Sequence, residues 1–308
     1  MRIAIMAAGA VGGYFGARLA AAGEDVTFIA RGAHLAAIKA QGLRVESPLG
    51  NVHVKNAKAG GDPRDIGPVD IVLFAVKLWD TELAAEGARP LIGEGTRLIT
   101  LQNGIDSVEL ITPILGSDHV VGGTAHLASN ISCPGVISHT SQFATMRFGR
   151  SDGRADPALR AFVESARKAG IDAALSEAID VDRWKKFTFL VGLSGATAAT
   201  RMPLGSILAD SDTRAFFLQL MREVVAVGRA SGVALAEDLA EDRLKFADAA
   251  PFGMKASLLH DLERGRRLEL DWLAGKVAEL GRKLKIPTPA NDCVYAALKL
   301  HRHGRSYQ

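Results

Sequence analysis

Lys186 closes the run Asp182-Arg183-Trp184-Lys185-Lys186 and is followed by a segment, residues 187–195, that is almost wholly apolar or small. A helix of that composition is buried on most of its faces. Lys186, Leu190 and Ser194 recur every fourth residue and share one face, so this lysine can run along a buried surface. Lys185 would carry its charge outward. A lysine held in that way can donate a proton to a carbonyl oxygen as it becomes an alkoxide. The competing reading is a solvated positive cluster at a helix start, and spacing alone leaves both open.

A donor of this kind completes a hydride transfer, and the first thirty-one residues supply the matching pattern. The apolar residues 3–6 break into Ala7-Ala8-Gly9-Ala10-Val11-Gly12-Gly13, a helix continues to Gly23, and a second apolar run at 26–30 ends on Arg31. Strand, glycine turn, helix and strand form the first half of a dinucleotide-binding fold. In such a turn the backbone N–H groups and the positive helix end face a pyrophosphate, which places Gly9, Ala10, Val11 and Gly12 at the cofactor. Gly9 lets the backbone approach the phosphates, and Gly12 lets helix and strand pack closely. Ala7 stands where the pattern has its first glycine, and alanine fits there only if its φ is negative. An acid at the tip of the second strand would hold the ribose of NAD; Arg31 suits a 2′-phosphate, so the expected cofactor is NADP. The other reading is a plain glycine-rich turn in an α/β core.

Other residues stand at predicted strand ends. Lys77 follows the strand 70–76 and Asn103 follows the strand 97–102, and ligands of wound parallel sheets bind at such carboxyl ends. Lys77 can meet anionic or hydroxyl groups of a cofactor or be a solvated charge, and Asn103 before Gly104 can be turn chemistry. Ala128, at the end of the strand 120–128, is placed with the cofactor as well. His126 is read as structural. Glu269 and Asp271 follow the basic stretch Arg264-Gly265-Arg266-Arg267, where a surface ion-pair network competes with a site.

The elements that must position these residues form two domains. Residues 1–178 carry the α/β alternation of a Rossmann-type, NADP-binding domain: a hairpin at 43–46 and 52–55, a helix at 81–88, a helix at 107–115, and two strands at 136–140 and 144–149 read as an antiparallel pair. A helix at 157–169 and a short strand near Ala173 complete its sheet. Residues 179–308 carry only helical patterns, at 182–200, 213–231, 237–247, 255–264, 272–284 and 291–301, and form an all-α domain for substrate and catalysis. Residues 302–308 are polar and read as a frayed end.

Composition removes several function classes. The chain has 308 residues, 48% of them hydrophobic, with 37 basic against 34 acidic residues and a net charge of +3, so it lacks the basic surplus of a nucleic-acid binder. No apolar stretch reaches the ~20 residues of a membrane span, and the sequence opens on a strand rather than a leader, which predicts a cytoplasmic protein. Cys133 and Cys293 lack ligand spacing, so neither a metal site nor a disulfide is expected, and both thiols are read as buried.

Taken in order, Ala10-Val11-Gly12-Gly13, Val76-Lys77, Gln102-Asn103-Gly104, Gly123-Thr124-Ala125-His126, Trp184-Lys185-Lys186 and Ser257 with Glu269 and Asp271 resemble the ketopantoate reductase (2-dehydropantoate 2-reductase) family along nearly the whole chain. The resemblance implies an NADPH-dependent oxidoreductase of the pantothenate route, with Lys186 as proton donor and Lys77 and Asn103 at the cofactor. It implies that Ser257 and Glu269, twelve residues apart, serve the substrate pocket and the closed ternary site. A carboxylate near the donor lysine would favour its protonated form.

The chain departs from the family at Leu190, Ser194 and Leu204, where the resembling enzymes carry asparagines that bind a small hydroxy-ketoacid. Leaving a buried substrate hydroxyl unpaired costs ~1 to 3 kcal/mol. The expected partner is therefore a 2-oxoacid or ketone bulkier or less polar than ketopantoate, with Ser194 kept among the substrate-binding residues. A β-hydroxyacid dehydrogenase of similar architecture and a non-catalytic NADP-sensing module are the alternatives; a methyltransferase would want an acid where Arg31 stands. A homodimer is one assembly open to the chain.

Overall fold

The computed structural model describes residues 1–304, and the chain separates into two units, Met1–Ile179 and Asp180 onward. The first is built around an eight-stranded sheet whose spatial order is β12-β11-β8-β7-β6-β1-β2-β5. Its strands are β1 (Arg2–Met6), β2 (Asp25–Ile29), β5 (Lys58–Gly60), β6 (Ile71–Phe74), β7 (Arg97–Thr100), β8 (Val120–His126), β11 (Thr145–Gly149) and β12 (Asp172–Leu175). Every pairing is parallel except β8 with β11.

The period-two alternation of a strand buried on both faces explains these runs. Ile3 and Ile5 of β1 join one apolar cluster with Phe15, Phe28, Leu73 and Phe162, whereas Ala4 and Met6 join another with Phe74, Ala84, Ala85 and Ile111. Helices α1 (Ala10–Ala21) and α5 (Pro157–Lys168) feed the first cluster, and α3 (Thr81–Ala88) and α4 (Ser107–Leu115) feed the second. Sheet covered on both faces is the doubly wound arrangement that the alternation in the sequence implies.

A smaller sheet, of order β4-β3-β10-β9, comprises β3 (Leu43–Glu46), β4 (Val52–Val54), β9 (Ser129–Cys133) and β10 (Val136–His139). It corrects the expected antiparallel pair at 136–140 and 144–149. β10 lies parallel to β3 and antiparallel to β9, while β11 joins the large sheet beside β8. The buried ring of His139 keeps β10 there, with Nδ1 2.8 Å from Ser47 Oγ just after β3 and Nε2 2.8 Å from Ser141 Oγ. Burial, together with the nearby Arg18 guanidinium, pushes the His139 pKa down, which favours the neutral ring.

Three elements lack a legible signal in the sequence. β9 is exposed along nearly its whole length, β5 has only three residues, and the helix α2 (Gly32–Gln41) buries Ile38 alone.

The second unit is helical. Its elements are α6 (Ile179–Thr200), α7 (Leu204–Ala209), α8 (Ser211–Ala230), α9 (Leu239–Asp248), α10 (Ser257–Glu263), α11 (Ala274–Leu284) and α12 (Pro289–Leu298). Small residues on one face of α6 admit α8: a Cβ on Gly192 would lie 2.6 Å from Met221, and one on Gly195 3.0 Å from Leu220. Trp184 fits over Gly228 in the same way. Buried Glu223 of α8 accepts from the backbone N–H groups of Ala290 and Asn291, each at 2.9 Å, and so satisfies the first turn of α12 from another helix.

Both cysteines are exposed, which corrects the expected burial of Cys133 and Cys293. Cys133 sits at the end of the exposed strand β9, and Cys293 on the outer side of α12. Of the end expected to fray, Arg302 is held, its carbonyl accepting from Leu268 N at 2.9 Å, and residues 305–308 lie outside the described residues. No helix among the described residues is long and apolar enough to cross a membrane, and no group of His, Cys, Asp and Glu among them could hold a metal ion.

Candidate active site

Register in the large sheet fixes one edge of the first unit. Met6 pairs with Ile29 of β2 and with Phe74 of β6, and Phe74 pairs with Thr100 of β7. The turn that opens at Ala7, Arg31 two residues past β2, Lys77 three past β6 and Asn103 three past β7 therefore stand at the carboxyl ends of four adjacent parallel strands. That edge is where wound sheets take their ligands.

The turn fits an anion. Gly9 precedes α1, no side chain caps it, and the first turn of the helix carries no acid, so its N–H groups and positive end are offered outward. A Cβ on Gly9 would meet nothing within 4 Å. On Gly12 it would lie 2.3 Å from the carbonyl of Ala7 and 2.9 Å from Ile5, so only glycine lets α1 sit this close to β1. Among the described residues the non-glycine positions with positive φ are Arg201 and Lys285, so Ala7 meets the condition its side chain imposes. Arg31 is exposed and extended at φ −134° and ψ 161°, immediately before α2. No acid stands at this strand tip.

Lys77 is exposed, with Nζ 5.4 Å from the centre of the Trp79 ring, and Asn103 is half-buried. Between them lies Gln102, 6% exposed, to which sequence reasoning gives no role. Its Nε2 donates to Val76 O at 3.1 Å and to Thr81 Oγ1 at 2.8 Å, while its Oε1 accepts from Thr100 Oγ1 at 3.2 Å. The amide thus clamps the loop on both sides of Lys77. The available signal is an uncharged polar residue two positions past a largely buried strand.

Ala128 stands apart from these strand ends. It lies two residues beyond β8, and its backbone is committed to the following loop: its N–H donates to Ser141 Oγ at 3.0 Å and its carbonyl accepts from Thr140 N at 2.9 Å. Only its exposed methyl group remains to touch a cofactor.

In the second unit, Lys186 lies in the second turn of α6. The residue as a whole is partly buried, and desolvation pushes its pKa down to about 8. The Glu269 carboxylate works against that shift, favouring the charged lysine. Glu269 is itself 7% exposed and precedes a single 3-10 turn at Leu270–Trp272. Lys185 is exposed, as its position on the helix requires. A buried lysine beside a buried carboxylate is a proton reservoir poised near neutral pH. Asp271 is used differently, accepting from the Tyr295 hydroxyl at 2.9 Å.

The departures from the resembling family are not equivalent in space. Leu190, one turn beyond Lys186, is half-exposed, whereas Ser194 and Leu204 are each 1% exposed. Ser194 Oγ is buried without a hydrogen-bond partner. Ser257 is exposed at the start of α10. The segment leading to it is tied to α7, where Leu204 N donates to Met254 O at 2.8 Å and Gly205 N to Phe252 O at 2.9 Å.

Similarity to known proteins agrees with this geometry. The family described as Ketopantoate reductase PanE/ApbA matches residues 3–153, and its C-terminal part, Ketopantoate reductase PanE/ApbA C terminal, matches residues 178–302. The chain is 33% identical to the 2-dehydropantoate 2-reductase of Mesorhizobium japonicum, with 97% of each covered. It superposes on the crystal structure of 2-dehydropantoate 2-reductase from Geobacter metallireducens with a TM-score of 0.91 at 32% identity, covering 97% of this chain and 99% of that one. D-mandelate dehydrogenase in a ternary structure with NADH and anilino(oxo)acetate shares the fold, with a TM-score of 0.89 at 19% identity and 98% of both chains covered. With a strand edge shaped for a dinucleotide, a buried lysine–carboxylate pair and both parts of the family pattern along its length, the chain belongs to the ketopantoate reductase family of oxidoreductases.

Proposed function

We propose that this chain is an NADPH-dependent reductase of a 2-oxoacid or related ketone, with Lys186 as proton donor. Residues 1–178 bind the cofactor and residues 179–308 carry substrate and catalysis. The observation that carries the reading is the Lys186 ammonium, buried beside Glu269 with its pKa at about 8. A solvated surface cluster would not desolvate one lysine of an adjacent pair and leave the other in water.

Bound NADPH supplies the hydride. The N–H groups of Gly9, Ala10, Val11 and Gly12 would hold its pyrophosphate, Arg31 its 2′-phosphate, and Lys77 and Asn103 its sugar and phosphate oxygens. Lys186 Nζ hydrogen-bonds the substrate carbonyl oxygen, stabilises the negative charge that develops there and transfers a proton to it. Glu269 keeps Nζ charged before the transfer and orients it. Ser257 offers a hydroxyl to the substrate carboxylate. Leu190 lines the same helix face as Lys186 with an apolar side chain, which favours a substrate less polar than ketopantoate; Ser194 and Leu204, shut in as they are, contribute less to that choice.

Purified protein with NADPH and a panel of 2-oxoacids and ketones, followed by the loss of nicotinamide absorbance, tests the reading. We expect turnover of an apolar 2-oxoacid, with Lys186→Met at least about a hundredfold slower. Turnover by Lys186→Met equal to that of the native protein would discard the mechanism.

A further inference from the structure

His34 lies in the first turn of α2, three residues beyond Arg31, and its ring joins two loops that are distant in sequence. Nε2 is 3.0 Å from the carbonyl oxygen of Ala8, and Nδ1 is 3.0 Å from the backbone N of Gly135 in the turn between β9 and β10. A backbone N–H can only donate and a carbonyl can only accept. Nδ1 is therefore the unprotonated nitrogen and Nε2 carries the hydrogen, so the ring is held as one neutral tautomer. Burial agrees, pushing the His34 pKa below the ordinary imidazole value.

The bond to Ala8 reaches the cofactor turn through peptide geometry. Ala8 O and Gly9 N–H belong to one rigid peptide unit, and in its trans form the two groups point in opposite directions. Drawing the carbonyl toward His34 aims the N–H of Gly9 the other way, out of the turn. Ala8 is fixed at its other end too, its own N–H donating to Ile29 O of β2 at 2.8 Å. Gly135 is equally constrained: its carbonyl accepts from Arg44 N of β3 at 2.9 Å, and a Cβ there would lie 3.1 Å from Ala37 of α2. The small sheet thus supplies the anchor against which His34 holds the glycine turn.

We propose that His34 is a positioning residue for the cofactor turn, fixing the Ala8–Gly9 peptide so that Gly9 N–H faces the cofactor pyrophosphate. The proposal rests on the dinucleotide reading of this turn given above. Because the pyrophosphate is common to both nicotinamide dinucleotides, the effect of His34 is blind to the 2′-phosphate, unlike that of Arg31.

The test combines binding with measurements on the protein alone. Fluorescence titration of His34→Ala should show NADPH and NADH dissociation constants raised by the same factor, about tenfold, the size expected for one lost hydrogen bond and a loosened turn. The kcat at saturating cofactor should change less than about twofold. His34→Gln, whose amide again offers one acceptor and one donor, should recover most of the affinity. Without nucleotide, the Gly9 and Ala10 amides of His34→Ala should exchange faster than those of the native chain, and nitrogen shifts of the native ring should report the Nε2–H tautomer. Unchanged dissociation constants in His34→Ala, an Nδ1–H tautomer, or a glutamine variant as impaired as the alanine one would overturn the proposal. A native chain that binds neither cofactor would instead remove the dinucleotide reading, and the exchange and tautomer results would still decide whether His34 holds the turn.

Discussion

The strand edge of the first unit and the lysine helix of the second reach function by opposite routes. At the strand edge register aligns four strand ends and a glycine admits the helix, so in the proposed function the backbone would do the recognising, and the exposed side chains Arg31 and Lys77 would add selectivity at little cost in desolvation. On α6 the backbone only carries side chains, and what matters is that burial lowers the pKa of one ammonium to about 8. A site made of peptide groups tolerates side-chain changes except where space is missing, as at Gly12. A site made of one buried charge is sensitive to every neighbour of that charge.

The sharpest way to break this comparison is at Lys186. Lys186→Met should lower kcat by about a hundredfold to ten-thousandfold with little change in NADPH affinity, while Lys185→Ala should do far less. Stability should move the other way. The pKa of Lys186 is depressed in the folded chain, from 10.5 to about 8, so between those values the unfolded state binds more protons and folding stability rises with pH. Below about pH 8 the whole cost of burying the charge is present, and methionine removes it. Thermal unfolding at pH 7 should show Lys186→Met more stable, by about 2–4 °C for each kcal/mol relieved. A variant both inactive and less stable would mean that the lysine is a structural residue.

Arg31 probes the other region. A charge-assisted phosphate contact contributes ~1.5 to 3 kcal/mol, so Arg31→Ala should weaken NADPH binding by roughly ten- to a hundredfold and leave NADH almost unchanged. Because Arg31 is exposed at a strand tip, its removal should not alter unfolding. Equal affinity of the native chain for the two cofactors, measured by titration, would remove the NADP assignment and leave the turn itself intact.

These two regions were also unequally legible in the sequence. Strand, glycine turn and strand follow from local pattern, and parallel register then aligns Lys77 with Asn103 without any long-range knowledge. The role of Gln102 has no local signature, because clamping a loop is a property of three-dimensional neighbours. His34 was missed for a related reason: nothing local connects an exposed-looking helix start with a turn 101 residues away. On α6 the four-residue spacing puts Lys186, Leu190 and Ser194 on one face but does not tell the half-exposed Leu190 from the shut-in Ser194. The misassigned pair at 136–140 and 144–149 failed because two adjacent apolar strands with a short connection look like a hairpin, whichever sheets they enter.

The pH dependence of turnover reads the two opposing influences on Lys186, burial and the Glu269 carboxylate. With Lys186 as the proposed proton donor, reduction would need it protonated, so kcat/KM in that direction should fall as pH rises through about 8, and the oxidation direction should rise over the same range. Glu269 holds the lysine pKa up against burial, so Glu269→Gln should move this limb to lower pH and reduce the rate at pH 7. A limb that stays in place in Glu269→Gln would show that the carboxylate does not act on Lys186.

The smallest effect concerns what the helix face reads. Leu190 is the one partly open position among the three departures, so Leu190→Asn should improve kcat/KM for ketopantoate and lower it for larger apolar 2-oxoacids, since a polar group that pairs a substrate hydroxyl discriminates where an apolar wall cannot. Ser194 calls for a different substitution. It is 1% exposed, and its hydroxyl is already buried without a partner. Ser194→Ala removes that orphan and should raise the melting temperature slightly. If the hydroxyl waits for a substrate group, the same variant should raise KM by about threefold to tenfold for any 2-oxoacid it pairs with. Stabilisation with KM unchanged would confine the reading of the substrate to Leu190 and withdraw Ser194 from it.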